Sequence, residues 1–169
     1  MNMYLVKEKL YCILTKITYL HKKNITIGKN VSYRSCFRLQ AAGSGMISIG
    51  SNCFFNHGFG AYSFGSIKIG NDTIVGENVK IYDHNHTFSI KDRLIRESGY
   101  NVGKVEIGNN CWIGSNCLIL KGAKIGDNCV IGGGSVIAGV IPSNSIVKRN
   151  DAQIIENIRY SEVADIKKE

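Results

Sequence analysis

Proline is almost missing from this chain: Pro142 is the single one in 169 residues, against nineteen glycines. So lopsided a ratio is odd for most folds, but corners repeated every few residues would consume glycine in this way. No long uninterrupted apolar run is present. The N-terminal stretch is broken by Lys7, Glu8, Lys9 and Lys16, which excludes a spanning helix and a signal peptide there. The six cysteines show neither a CxxC pair nor a cluster, which excludes the usual zinc and disulfide frameworks. Acidic residues are in the minority: 21 Lys and Arg against 13 Asp and Glu leave a net charge of +8. Such a surface attracts anions. Basic residues are not interleaved with aromatics and no nucleic-acid motif occurs, so cofactor phosphates are a better expectation than nucleic acid.

What is present is a period. Between Val105 and Pro142 an isoleucine recurs every six residues, at Ile107, Ile113, Ile119, Ile125, Ile131 and Ile137. Four residues after each of the first five stands a small one: Cys111, Cys117, Ala123, Cys129 and Ser135. Three residues after each stands Asn110, Asn116, Gly122, Asn128 or Gly134, the types that best tolerate positive φ. A six-residue unit with one inward aliphatic, one inward small residue and one left-handed corner describes one face of a triangular solenoid. Three units close a coil, and stacked coils pair as parallel strands. A period of six excludes helix, and hairpins would alternate at two. The expected fold is all-β, a parallel β-helix. Cys53, Cys111, Cys117 and Cys129 share the inward small phase and are expected to be buried free thiols, which suits a reducing cytoplasm.

Taken in order, residues 1–22 carry apolar positions at helical spacing and are expected to form a short amphipathic helix over the first coil. Peripheral membrane contact is the alternative, though the basic face is thin for it. The β-helix is expected over 23–149. Its hexads begin at Ile27, continue less cleanly through Tyr33 and Leu39, and resume at Ile49. Residues 56–66 break the count, which suggests an irregular coil. Ile69, Val75 and Ile81 are regular again. Residues 82–104 then carry no hexad and should form a protruding loop, the place where a scaffold carries function. Residues 150–169 are expected to be a C-terminal helix and charged tail, from the spacing of Ile154, Ile155 and Ile158.

Two of the four histidines, His84 and His86, stand at the root of that loop. Imidazole exchanges a proton near neutral pH, so a histidine beside a substrate hydroxyl can act as a general base.

The hexads, the run IYDHNH, Arg93 and the following IGNNCWIGSNC together resemble the left-handed β-helix acyltransferases. The likeness is strongest to the maltose- and galactoside-type and polysaccharide O-acetyltransferases, over about residues 27–142. The resemblance implies a homotrimer with sites between chains. It also implies acetyl-CoA as donor, no metal, and transfer to a sugar hydroxyl in surface polysaccharide biosynthesis in the cytoplasm. An alignment without gaps over residues 69–82 implies His86 as the base, with His84 in reserve and Arg93 at the family's spacing of seven. Phe55-Asn56-His57-Gly58-Phe59 matches a family motif whose Asn helps bind the acceptor. Trp112 and Ser115 would line the pantetheine groove, and Gly133 and Ala138 would offer it backbone groups. Lys148 and Arg149 are candidates for the nucleotide phosphates by charge and position. Three departures leave the acceptor open. The family's Pro after the catalytic His is Thr87 here, and the sequence after Pro142 lacks Gly-x-Pro-Ala. The acid expected after the Asn56 motif is replaced by Ser63 and Phe64.

Alternatives remain. A γ-type carbonic anhydrase shares the fold and would need zinc bound by His84, His86 and a third histidine such as His57 or His21. Serine, an amino sugar or an antibiotic are other acceptors, and a scaffold without catalysis is the third reading.

Overall fold

Each coil is a hexad written three times. In the computed structural model, which describes Leu10, Leu14, Thr18, Tyr19 and residues 22–148, the first coil comprises β1 (Ile25–Ile27), β2 (Ser32–Tyr33) and β3 (Arg38–Ala41). The second comprises β4 (Met46–Ile49), β5 (Phe54–Phe55) and β6 (Gly60–Ser63); the third, β7 (Ser66–Ile69), β8 (Ile74–Val75) and β9 (Lys80–Tyr82). The chain then leaves the body as an antiparallel hairpin, β10 (His84–His86) and β11 (Tyr100–Val102), with a 3₁₀ turn at Ile95–Glu97 between them. It rejoins with β12 (Lys104–Ile107), β13 (Trp112–Ile113) and β14 (Leu118–Ile119). A fifth coil follows, β15 (Lys124–Ile125), β16 (Val130–Ile131) and β17 (Val136–Ile137), and then β18 (Val140–Ile141) and β19 (Ile146–Val147). First strands stack into face A, second strands into face B and third strands into face C, all parallel. This is the expected left-handed β-helix.

The inward ladder carries the stability. Ile47, Ile49, Ile67, Ile69, Ile81, Ile113, Ile119, Ile125 and Ile131 are fully buried, each worth about 1.5–3 kcal/mol of transfer free energy. The exposed Lys124–Glu106 pair at 3.8 Å contributes about 1 kcal/mol at most. Cys53, Cys111, Cys117 and Cys129 are buried free thiols, and Cys36 is exposed.

All five expected corners lie at positive φ: Asn110 51°, Asn116 59°, Gly122 85°, Asn128 57° and Gly134 73°. The asparagines also bond across coils. Asn110 Nδ2 donates to Asn128 Oδ1 at 2.9 Å, and Asn128 Nδ2 to Asn144 Oδ1 at 3.1 Å. Gly76 is required for a different reason, since a Cβ there would stand 2.6 Å from the Ser115 amide of the next coil.

Two expectations are corrected. Residues 56–66 are not an irregular coil: β6 pairs in register with β3 and β9, and the extra length is confined to the turn at Phe64 and Gly65. The hexad was obscured because Phe37 and Phe59 occupy small-residue positions, stacking at 5.4 Å as a wider aromatic core with Tyr33 and Phe55. The excursion does leave the body as expected, but its bounds are one residue tighter at each end. It spans 83–103, because Tyr82 belongs to β9 and Lys104 to β12, and its base is a paired hairpin.

At the N-terminal end the described residues Leu10, Leu14, Thr18 and Tyr19 are helical; the rest of the expected amphipathic helix over 1–22, apart from Lys22, lies outside the described residues. Tyr19 is buried on the first coil, its hydroxyl accepting from the Leu39 amide at 2.9 Å. Leu10 and Leu14, by contrast, are exposed. The expected C-terminal helix lies outside the described residues, as does Arg149. No helix among the described residues is long and apolar enough to cross a membrane.

Candidate active site

The hairpin leaves the body at the corner between faces C and A, and its first residue is a carboxylate. Val79, Ile81 and Asp83 alternate inward, so Asp83 is carried into the core and is fully buried. Two amides of the turn in the coil before meet it, together with the hydroxyl of Ser63 at the end of β6, which also bonds to the Met46 carbonyl at 3.1 Å. Ser63 Oγ lies 2.5 Å from Oδ2, the Gly65 amide donates to Oδ2 at 2.9 Å, and the Phe64 amide donates to Oδ1 at 3.0 Å. Gly65 must be glycine, since a Cβ there would stand 2.3 Å from the carbonyl oxygen of Gly103, where the hairpin returns. The Gly103 amide donates to the Asp83 carbonyl at 2.7 Å and closes the neck.

His84 Nδ1 lies 3.0 Å from Asp83 Oδ1. Its ring meets Phe64 edge-on at 4.3 Å and Tyr100 at 5.4 Å, and 14 % of the side chain remains exposed. His86 falls on the same side of β10, as residues two apart on a strand must. It is exposed, paired across the hairpin with Tyr100, whose ring is 4.6 Å away. Phe64 stacks on Tyr100 at 4.7 Å, and Tyr62 on Tyr82 at 5.0 Å. Burial and then the neighbouring Tyr62 push the Tyr82 hydroxyl above the usual phenol range. The result is two imidazoles on an aromatic wall, one of them held by a buried acid.

The remaining candidates fall elsewhere. Arg93 lies in a recess of about 460 Å³ built by the excursion itself, with Phe88, Ile90, Lys91, Asp92, Leu94 and Ile95. Asn56 follows β5 and stands on the corner between faces B and C, its Oδ1 accepting from the His57 amide at 2.9 Å. Ser115, Gly133 and Lys148 occupy that same corner on successive coils, and Trp112 projects from face B beside it, 56 % exposed. Ala138 is on the histidine corner instead, in line with Tyr82 two coils away. One chain therefore presents two separate edges, one with the histidines and one with Asn56 and most of the groove residues.

Among the described residues no group of three His, Cys, Asp or Glu is placed to hold a metal ion. His57 instead has its Nδ1 2.7 Å from Ser35 Oγ on the other corner.

The reading from sequence missed Asp83 and the wall formed by Phe64, Tyr82 and Tyr100. A signal for Asp83 existed: an acid at an inward position of the period-two alternation that ends β9.

A solenoid of hexads with a histidine hairpin rising from one corner defines a hexapeptide-repeat transferase. The bacterial transferase hexapeptide (six repeats) family matches residues 104–139. A putative lipopolysaccharide biosynthesis O-acetyl transferase, WbbJ, from Escherichia coli (strain K12) is 33% identical over 81% of this chain and 74% of its own length. The galactoside O-acetyltransferase of Lactococcus lactis subsp. lactis (strain IL1403) is 30% identical over 85% of this chain and 68% of its own. Among solved structures, a maltose O-acetyltransferase from Clostridium difficile 630 superposes with a TM-score of 0.68 at 28% identity, over 94% of this chain and 90% of that one. A galactoside acetyltransferase in complex with coenzyme A gives 0.66 at 25% identity, over 94% and 84%. The chain belongs to the hexapeptide-repeat acetyltransferases and is an acyltransferase.

Proposed function

We propose that this enzyme transfers an acetyl group from acetyl-CoA to a sugar hydroxyl in the building of a surface polysaccharide, in the cytoplasm, with a histidine of β10 as general base. The observation that carries the reading is the pair His84 and His86 on one side of a hairpin, in a chain of this family. WbbJ and the maltose and galactoside enzymes support the acceptor class by their names. Buried, unpaired cysteines support a reducing compartment.

In the reaction the imidazole takes the proton from the acceptor hydroxyl as its oxygen attacks the thioester carbonyl. The tetrahedral intermediate collapses, the carbon–sulfur bond breaks, and the leaving thiolate takes the proton back from the imidazolium. No nucleophilic side chain of the enzyme is required. Trp112, Ser115, Gly133 and Lys148 form a line along one edge on which an extended pantetheine arm could lie, with Lys148 toward the phosphates.

The separation of the two edges supports a threefold assembly, in which the histidine edge of one chain meets the Asn56 and Trp112 edge of the next. Face B also supports it: Phe54, Ile74, Trp112, Val130 and Ile146 stack in register as one outward apolar ladder, while face A turns Ser48, Lys68, Glu106 and Lys124 outward.

The test is thiol release from acetyl-CoA against a panel of mono- and oligosaccharides, followed by mass spectrometry of the acceptor. A mass increase of one acetyl group, lost in the His84→Ala, His86→Ala double variant, is expected. Thiol release with no sugar, with turnover only on amines, would overturn the acceptor class.

A further inference from the structure

In sequence, Ser63 and Phe64 stand where the resemblance leads one to expect an acid. In three dimensions a carboxylate is there. Asp83 reaches back one coil and places its oxygens on the backbone amides of Phe64 and Gly65 and against the hydroxyl of Ser63. We propose that Asp83 is the positioning residue of this enzyme, holding His84 as the general base by accepting a hydrogen bond from its Nδ1–H. The proposal rests on the acetyl-transfer reading above and selects between its two histidines.

The Asp83 oxygens face two backbone amides, which can only donate, and the hydroxyl of Ser63, which also lies 3.1 Å from the Met46 carbonyl. An ionised carboxylate held by the two amides can meet its remaining neighbour, His84 Nδ1 at 3.0 Å, only as an acceptor. The ring proton must then sit on Nδ1, which leaves Nε2 bare. That is the form a base needs, fixed by a buried acid as in other acid–histidine pairs.

Burial sets the rotamer as well as the tautomer. Asp83 is fully buried, and the edges of Phe64, Tyr82 and Tyr100 enclose the imidazole, so the ring has little room to turn. His86 has the exposed position beside Tyr100 and no acid among its described contacts. It stands within the site, as a contact to substrate.

The proposal predicts a tautomer that can be read directly. In ¹⁵N-histidine-labelled protein, long-range ¹H–¹⁵N correlation spectra above the titration range should show His84 with its proton on Nδ1. His84 protonated on Nε2 would overturn the proposal with no variant needed. In kinetics, Asp83→Asn should lower kcat by about tenfold or more with the KM for acetyl-CoA within about twofold, and His84→Ala should abolish turnover. Asp83→Asn should also redistribute the His84 tautomer.

The exchange Ser63→Asp with Asp83→Ser returns a carboxylate to the same pocket from the neighbouring strand. It should restore both the tautomer and the turnover. Full turnover in His84→Ala with none in His86→Ala would overturn the assignment while leaving the enzyme an acetyltransferase. Failure of the wild type to acetylate any sugar would defeat the acceptor reading, and the tautomer measurement would still stand on its own.

Discussion

The backbone amide of Glu77 donates to the hydroxyl of Ser115 at 3.1 Å, although 38 residues separate them in sequence. The third and fourth coils stack in register across the excursion as if it were not there. Ile113 still pairs with Val75 and Ile119 with Ile81. The pairing of the coils owes little to the hairpin, although Asp83 at its root holds the turn at Phe64 and Gly65.

Replacement of residues 83–104 by Lys-Gly, the sequence of the equivalent turn at Lys121 and Gly122, should therefore leave a folded solenoid without acetyl transfer. Circular dichroism should keep the parallel β signature and size-exclusion chromatography the wild-type oligomer. Collapse of the fold would show that the hairpin is structural.

If each site forms between two chains, defects on opposite edges should complement. The His84→Ala, His86→Ala variant and a Trp112→Ala, Lys148→Glu variant should each be nearly inactive alone. Co-refolded at equal ratio, about a quarter of the interfaces should combine two intact edges, a half multiplied by a half, and turnover should return to that extent. No recovery in mixed trimers would place the whole site within one chain.

Core substitution separates the inward ladder from the outward charges. Ile113→Ala should cost about 2–5 kcal/mol in urea unfolding, whereas Lys124→Ala should stay within about 0.5 kcal/mol.

Burial pushes the thiols of Cys53, Cys111 and Cys117 above the ordinary range, outweighing the backbone hydrogen bonds that act the other way. Between the unfolded and the folded pKa the unfolded chain has lost a proton that the native protein keeps. Stability from these thiols is thus complete below the unfolded value, about 8.5, and is lost as pH rises through the folded values. Melting temperature should fall on the alkaline side from about that pH, and Cys53→Ala should flatten the fall. At neutral pH a thiol reagent should label Cys36 rapidly and these three only on unfolding.

Much of the molecule was legible in one dimension. A strict period of six with Asn or Gly at one phase leaves few shapes open, because only those residues relieve a left-handed corner at every repeat. Burial of the cysteines and isoleucines followed from the same phase. Less legible were the first two coils, where the aromatic pairs Tyr33–Phe37 and Phe55–Phe59 replace an aliphatic and a small residue in a wider core.

The site divides in the same way. The sequence by itself determined where the chain leaves the solenoid and that two histidines stand at the exit, since both are local properties. Only the tertiary structure decided that Asp83 lies against Ser63 and the amides of Phe64 and Gly65. Asp83 and Ser63 are 20 residues apart along the chain and adjacent only because one coil is laid upon the next. It also decided that Asn56 and the histidines lie on different edges of the prism. That is a matter of how many faces of the coil separate them, which a linear motif does not record.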